Sequence, residues 1–226
     1  MRPQTVVFDA YGTLFDVTAA ARRVAAEPGF ADLAPVWPGL AEAWRRKQLE
    51  YTWLRRIMGA HADFASVTAD ALDWALEAQG ITPNVALRAR LLAMYRALDP
   101  FPETAATLAA LRARGLRLAI LSNGTPDMLA DAVDAAGLQG LFDAVISVEE
   151  VGAYKPDPAV YALVPARFGL RPGQVLFVSS NGWDIAGAAR FGFTCAWVNR
   201  TGAPLDRLSH GPAHILRDLS ALPDLI

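Results

Sequence analysis

The chain has 226 residues, of which 53% are hydrophobic and 19% are charged, so it can fill one large core or a core with a smaller partner domain. The formal net charge is -2 and no long run of one sign occurs, which argues against nucleic acids and anionic membranes as partners. No apolar run approaches the length of a transmembrane helix, and the start of the chain lacks the pattern of a signal peptide, so we expect a cytoplasmic protein.

Cysteine and histidine indicate neither a disulfide nor a metal site. The single cysteine, Cys195, lies in an apolar segment typical of a buried strand. The three histidines are scattered at His61, His210 and His214, without the spacing of zinc ligands. We therefore predict that the protein binds no metal and no cofactor.

The first predicted element is a buried strand over residues 5–8. This apolar, β-prone segment ends abruptly at Asp9, and a Gly12-Thr13 turn follows. Because open α/β folds carry their chemistry at the carboxyl ends of such strands, Asp9 is the first candidate functional residue.

Residues 16–98 have the apolar spacing of helices and no alternation typical of a strand. The predicted helix starts are, in chain order, Leu40 after a break at Trp37-Pro38-Gly39, then Ser66 or Thr68, then Pro83. The residues expected to face inward on the first two helices are Leu40, Trp44, Leu49, Trp53, Leu54, Ile57, Met58, Ala71, Leu72, Ala75, Leu76 and Ala78.

After a linker at residues 99–102, strands alternate with helices. Further strands are predicted over residues 116–121, 144–148, 175–178 and around Cys195, before a Pro-broken tail with a short final turn. This alternation predicts an α/β fold with a parallel sheet and right-handed crossovers. We expect two domains, a core of residues 1–15 and 99–226 and an all-helical cap of residues 16–98 inserted after the first strand.

Polar side chains follow three of the predicted strands. They are Asp9, the Ser122-Asn123 pair and the stretch from Ser179 to Asp184, with Lys155 in a loop between the last two. A serine after a strand commonly caps the next helix, so each of these positions alone is weak evidence for a functional site. Because the carboxyl ends of parallel strands share one edge, however, the groups are expected to converge.

Four stretches in chain order resemble the motifs of the haloacid dehalogenase superfamily. These stretches are Asp9–Phe15, Leu121–Gly124, Tyr154–Asp157 and Ser179–Asp184. The resemblance covers the whole chain and implies a Rossmann-like core, a helical cap and an aspartate nucleophile at Asp9.

Two departures from the superfamily's pattern bear on function, because most of its members are phosphatases. A phosphatase has a second aspartate two residues after the nucleophile, as general acid for the leaving alkoxide, whereas this chain has Tyr11. A halide leaves without a proton. Phosphatases also hold magnesium with acidic residues after the fourth strand, where this chain has only Asp184. A monoanionic haloacid attacked at carbon needs no such metal.

Both departures match the L-2-haloacid dehalogenase branch. Its motifs resemble Phe8–Val17, Phe177–Asp184 and the cap segment Trp44–Leu54, which phosphatases do not share. The resemblance implies hydrolysis of short 2-haloalkanoic acids of the S configuration, with inversion, through an ester on Asp9. The expected partners are the 2-haloacid and the halide.

The resemblance also implies roles in catalysis. Asp9 would attack C2 of the substrate, Lys155 would neutralise Asp9, and Arg45 would receive the departing halide. Asp184 would be the base for the hydrolytic water, which Asn181 would help to position. The residues expected to orient Asp9 and Lys155 are Thr13 and Ser179.

Further residues are expected to contact the substrate. Ser122 and the main-chain N–H groups near Ala10 and Tyr11 would bind its carboxylate, and Asn123 would assist the halide or the substrate. The residues expected to line the alkyl pocket are Tyr11, Leu49, Phe64 and Trp183. Tyr161 would lie near Lys155. The pocket is expected to differ from that of relatives at Arg46, where glutamine is expected, and at Gly182, where alanine is commoner.

Two other functions stay open at this stage. One is a phosphatase or phosphonate hydrolase of the same fold, and the other is a non-catalytic relative that binds a small carboxylate. Exposed apolar residues on the cap would suit a homodimer, which relatives often form.

Overall fold

A parallel sheet of six strands lies at the centre of the fold, in a computed structural model that describes residues 3–82 and 84–226. The strands are β1 (Thr5–Phe8), β2 (Arg117–Ser122), β3 (Ala144–Ser147), β4 (Val175–Ser179), β5 (Thr194–Val198) and β6 (His214–Leu216). Their order in the sheet is β3-β2-β1-β4-β5-β6, and every neighbouring pair is parallel. The predicted α/β fold with a Rossmann-like parallel sheet is confirmed.

The helices divide into two groups along the chain. Four lie within the segment of residues 16–98, namely α1 (Ala19–Ala25), α2 (Trp37–Met58), α3 (Phe64–Ala78) and α4 (Val85–Tyr95). The other four precede β2, β3, β4 and β5 in turn, namely α5 (Thr104–Ala113), α6 (Pro126–Ala135), α7 (Pro158–Phe168) and α8 (Gly182–Phe191). In residues 3–82 and 84–226, no helix has the length and apolar character needed to cross a bilayer. The exact domain bounds and the cytoplasmic location stay predictions.

The position of β1 explains why Asp9 can become the centre of a site. All four residues of β1 are fully buried, and the strand pairs with β2 on one side and β4 on the other. The Asp9 N–H donates to the Val178 carbonyl at 2.9 Å, so the backbone of β4 fixes the residue just beyond the strand end. The sheet order reverses between β1 and β4, where open α/β sheets bind their ligands.

Two predicted helix starts need correction. Trp37-Pro38-Gly39 is not a break but the first turn of α2, where a proline removes no intrahelical hydrogen bond. The helix α3 begins at Phe64 rather than at Ser66 or Thr68, because the Asp63 carboxylate caps it by accepting from the Ser66 N–H at 2.7 Å.

The start of α4 is defined by Asn84, whose side chain accepts from the Ala86 N–H at 2.9 Å. The predicted start at Pro83 lies outside the described residues.

The buried face of α2 differs from the predicted one. Residues four apart, Leu40, Trp44, Gln48 and Thr52, form its buried row. Three residues predicted to face inward are exposed instead, and they are Leu54 at 42%, Ile57 at 80% and Met58 at 67%. Position 54 is two residues beyond Thr52, about 200° around the helix, which turns it away from the packed side.

Ala78, at the end of α3, is also exposed against prediction. The homodimer stays a prediction, for which the exposed end of α2 would be a candidate surface.

The tail after β5 contains a strand that the sequence pattern missed. The strand β6 pairs with β5 in parallel, with Ala196 opposite His214. It has three residues, of which only Leu216 is buried, and such a short edge strand has no detectable period.

The buried face of α2 can be tested by comparing one substitution on that face with one on the exposed face. Leu40→Ala is expected to lower the free energy of unfolding by about 2–5 kcal/mol, because it leaves a cavity in the core. Ile57→Ala is expected to change it by less than about 0.5 kcal/mol, because Ile57 is exposed. Urea denaturation of the two variants measures both values, and equal losses would contradict the assigned face.

Candidate active site

Asp9 lies at the carboxyl edge of the sheet, where side chains from three segments contact its two oxygens. The Lys155 ammonium donates to Oδ1 at 3.1 Å. The other oxygen, Oδ2, accepts from Thr13 Oγ1 at 3.0 Å, from Asn181 Nδ2 at 2.9 Å and from Ser179 Oγ at 3.4 Å. These contacts fix the orientation of the carboxylate, and each partner is among the site residues predicted from the sequence.

Lys155 is a buried cation that joins two carboxylates. Its side chain is 1% exposed, and Nζ lies 3.1 Å from Asp9 Oδ1 and 2.9 Å from Asp184 Oδ2. Burial alone would lower the pKa of the Lys155 ammonium, but the carboxylates of Asp184 and Asp9 raise it above its ordinary value. The lysine therefore stays charged beside Asp9.

Asp184 lies behind Lys155, in the first turn of α8, and is fully buried. Burial raises the pKa of the Asp184 carboxyl, with Lys155 acting in the opposite direction. Its Oδ1 accepts from the Tyr161 hydroxyl at 2.7 Å. Tyr161 thus lies behind Asp184 and is itself fully buried, which corrects the prediction that it contacts the substrate.

A small cavity opens in front of Asp9, between α2 and the sheet edge. Its lining residues are Asp9, Tyr11, Arg45, Leu49, Phe64, Ser122, Asn123, Asn181 and Trp183. Its free volume of about 10 Å³ has room for about one water molecule. Each lining residue is among the predicted site residues. Their roles in a reaction stay predictions.

Unused hydrogen-bond donors lie at the same edge of the sheet. Across residues 3–82 and 84–226, the main-chain N–H groups of Ala10 and Tyr11 donate to no protein acceptor. Ser122 is buried, and its hydroxyl oxygen accepts from the Gly124 N–H at 3.2 Å. Its own hydroxyl proton and the two N–H groups are therefore suited to an anionic group such as a carboxylate.

Arg45 brings a second cation to the cavity from α2. Its Nη2 donates to the Tyr11 carbonyl at 3.2 Å and to Asn181 Oδ1 at 3.4 Å, and its Nη1 donates to Gln48 Oε1 at 3.0 Å. Within the part of the chain that the structure describes, Arg45 forms no ion pair with a carboxylate. An unpaired guanidinium that lines a cavity is a site for an anion.

Two predicted pocket residues lie outside the cavity lining. Arg46 is exposed, with its guanidinium carbon 5.9 Å from the centre of the Trp74 ring, because it lies about 100° around α2 from Arg45. Gly182 faces Asp206, since a Cβ there would lie 2.2 Å from Asp206 Oδ2. The prediction that Arg46 binds substrate is corrected by this placement, and Gly182 does not shape the lining directly.

Gln48 and Gly124 are two residues near the site that the sequence reasoning did not assign. Gln48 is a polar residue in the buried row of α2, one turn after Trp44, and this interruption of an apolar row was the available signal. Gly124 leaves room for Tyr11, because a Cβ there would lie 2.9 Å from the Tyr11 ring. Within residues 3–82 and 84–226, no three His, Cys, Asp or Glu side chains form a metal-binding group.

Lys155→Met is expected to lower the free energy of unfolding by about 3–5 kcal/mol at neutral pH, because it leaves two buried carboxylates without their cation. The folded pKa of Lys155 lies above its unfolded value, so its stabilisation is complete below about pH 10.4 and is lost only as pH rises through the folded value. Denaturation of both proteins from about pH 7 to about pH 9.5 should therefore give a difference that does not shrink as pH rises. A difference that shrinks across this range would contradict the raised pKa.

Comparisons of the sequence with a family model and with individual proteins point to the same family. The sequence model described as a haloacid dehalogenase-like hydrolase matches residues 3–192. The chain is 44% identical to an (S)-2-haloacid dehalogenase of Pseudomonas sp. (strain CBS-3), over 97% of this chain and 95% of that protein. It is 48% identical to an (S)-2-haloacid dehalogenase of Xanthobacter autotrophicus, over 87% and 75%.

A solved structure is similar over nearly the whole chain. It is the L-2-haloacid dehalogenase from Xanthobacter autotrophicus with chloropropionic acid covalently bound, and its TM-score is 0.86 at 42% identity, over 99% of this chain and 98% of that one. Together with the family match over residues 3–192, this shows that the chain belongs to the haloacid dehalogenase-like hydrolases.

Proposed function

We propose that the protein is an (S)-2-haloacid dehalogenase, which hydrolyses short 2-haloalkanoic acids to 2-hydroxy acids with inversion at C2. One observation supports this most directly. The buried carboxylate of Asp9, already paired with Lys155, faces a cavity that is also lined by Arg45, a cation that pairs with no carboxylate of the described residues. Several relatives that cover most of the chain have names that state this activity.

In the first step the substrate carboxylate binds to Ser122 and to the N–H groups of Ala10 and Tyr11, which holds C2 next to Asp9. A carboxylate oxygen of Asp9 forms a bond to C2 as the carbon–halogen bond breaks, and the bonding pair leaves with the halide. Attack from the side opposite the halogen inverts C2. The products of this step are an ester on Asp9 and a free halide ion.

Arg45 stabilises the halide as it departs. The guanidinium has five N–H groups and uses three on Gln48, Tyr11 and Asn181, so two remain for the anion. A halide needs no proton to leave, so the reaction has no use for a general acid at Tyr11. Burial raises the pKa of the Tyr11 hydroxyl well above its ordinary value, so this phenol is not suited to serve as an acid either.

In the second step water attacks the carboxyl carbon of the Asp9 ester. The bond from that carbon to the ester oxygen breaks, and the 2-hydroxy acid leaves with the oxygen that came from Asp9. We assign Asn181 to position the water and Asp184 to take up one of its protons, which then passes to the departing oxygen of the 2-hydroxy acid. The second proton of the water is released to solvent. The burial-raised pKa of Asp184 makes this carboxylate a stronger base, and hydrolysis restores the Asp9 carboxylate as a partner for Lys155.

The proposed reaction needs no metal ion, because the substrate is a monoanion attacked at carbon and Lys155 supplies the positive charge beside Asp9. A phosphatase or phosphonate hydrolase would need a cation and an acid to act on a phosphoryl group. A non-catalytic carboxylate-binding protein would turn over neither substrate.

One assay separates the three functions. The protein is incubated with each enantiomer of 2-chloropropionate and with p-nitrophenyl phosphate, with and without EDTA, and released halide and phosphate are measured. We expect chloride from the S enantiomer in the presence of EDTA, with 2-hydroxypropionate of inverted configuration. Magnesium-dependent phosphate release without halide release would contradict the proposal, and no turnover of any haloacid would favour a binding protein.

Asp9→Asn is expected to lower steady halide release by at least about 10³-fold while the protein still folds, because the amide is a poor nucleophile. The matched control is Asp32→Asn, which removes an exposed carboxylate that does not line the cavity and should leave the rate unchanged. Retained activity in Asp9→Asn would show that Asp9 is not the nucleophile.

A further inference from the structure

Gln48 is a buried amide in α2 that connects Arg45 to the helices around it. Its side chain is fully buried, and Oε1 accepts from Arg45 Nη1 at 3.0 Å and from the Tyr95 hydroxyl at 3.1 Å. On its other side, Nε2 donates to Thr68 Oγ1 at 2.8 Å. Gln48 thus bonds to residues of α2, α3 and α4 at once.

The direction of each bond in this network is determined by an acceptor at its end. The Phe64 carbonyl can only accept, so the Thr68 hydroxyl, 2.6 Å away, donates its single proton there. Thr68 can then only accept from Gln48, which assigns the nitrogen of the amide to that side. The amide oxygen must therefore face Arg45, whose guanidinium can only donate.

The amide restricts a guanidinium that would otherwise be flexible. Gln48 binds Nη1 from the helix side, while the Tyr11 carbonyl and Asn181 bind Nη2 from the sheet edge. An arginine side chain loses considerable rotamer entropy when it is ordered, and here that ordering takes place before substrate binds. Donors fixed in advance stabilise developing charge better than donors that must reorganise.

The neutrality of Gln48 matters as much as its position. A carboxylate in its place would also accept from Arg45, but it would pair the charge of the guanidinium. The amide fixes Arg45 and leaves its full charge for an anion in the cavity.

We propose that Gln48 is a positioning residue. It holds the Arg45 guanidinium in place to donate to the departing halide, and it leaves the positive charge of the guanidinium unneutralised. This inference rests on the proposed dehalogenase function. It assigns part of the leaving-group stabilisation to a residue that has no contact with the cavity.

The test compares (S)-2-bromopropionate with (S)-2-chloropropionate, because chloride is the poorer leaving group and depends more on stabilisation. In Gln48→Met, which removes the acceptor at similar volume, kcat with the chloro substrate should fall by about 10- to 100-fold. The kcat with the bromo substrate should fall less. The ratio of kcat with the bromo substrate to kcat with the chloro substrate should therefore rise by at least about threefold. KM should change little, because the substrate carboxylate binds elsewhere.

Thr52→Val is the matched control, since Thr52 is buried one turn further along the same helix and its hydroxyl donates to the Leu49 carbonyl of that helix. It should lower the melting temperature without changing the kcat ratio. A Gln48→Met enzyme that loses activity equally with both halides, or loses none, would overturn the positioning role. If the wild type releases no halide at all, the proposed function fails and this inference fails with it.

Gln48→Glu separates position from charge and serves if Gln48→Met does not fold. The variant retains an oxygen that accepts from Arg45, but its carboxylate neutralises the charge of the guanidinium. The kcat ratio should therefore rise here too, and inhibition by added bromide should weaken by at least about threefold. A wild-type ratio and wild-type bromide inhibition in Gln48→Glu would overturn the importance of the uncompensated charge.

Discussion

The buried contact of Lys155 with Asp9 and Asp184 is the interaction on which the rest of this structure depends. Each of these ions loses several kcal/mol of hydration when it is buried, and their mutual contacts at 3.1 and 2.9 Å, together with the hydrogen bonds to both carboxylates, offset that loss. Those contacts require β1 and β4 to be neighbours, because Asp9 follows β1 and Asp184 lies in the helix after β4. The sheet order that fills the core therefore also assembles the charged centre of the site.

The two cations near Asp9 differ in one physical respect. Lys155 is buried between two carboxylates and its charge is compensated, whereas Arg45 donates to the carbonyl and amide oxygens of Tyr11, Gln48 and Asn181. A compensated cation keeps a nucleophile ionised and oriented. An uncompensated cation across the cavity attracts an anion, so the arrangement suits a reaction in which a carboxylate attacks and a small anion leaves.

Tyr11, two positions after Asp9, lies in an apolar, aromatic part of the site. The Tyr11 ring stacks on Tyr95 at 5.4 Å and lies 5.6 Å from Phe64, and its buried hydroxyl has no partner among the described residues. The surroundings are aromatic, and burial keeps the phenol protonated. In place of the acid of a phosphatase, this position offers an apolar wall, which favours the alkyl part of a substrate.

The sequence by itself determined the strand positions of the sheet up to β5 and the helical segment after β1, and its resemblance to dehalogenase motifs supplied the residues that line the cavity. Period-2 and period-3.6 patterns are local, and parallel strands necessarily bring their carboxyl ends to one edge. Only the tertiary structure decided which face of α2 is buried, and with it the placement of Arg46 outside the cavity and of Gln48 beneath Arg45. The physical reason is that burial on a helix depends on the angle at which it packs, which no residue pattern specifies when apolar residues lie on two faces. Likewise, the placement of Tyr161 behind Asp184 and the pairing of β6 depend on neighbours distant in the chain.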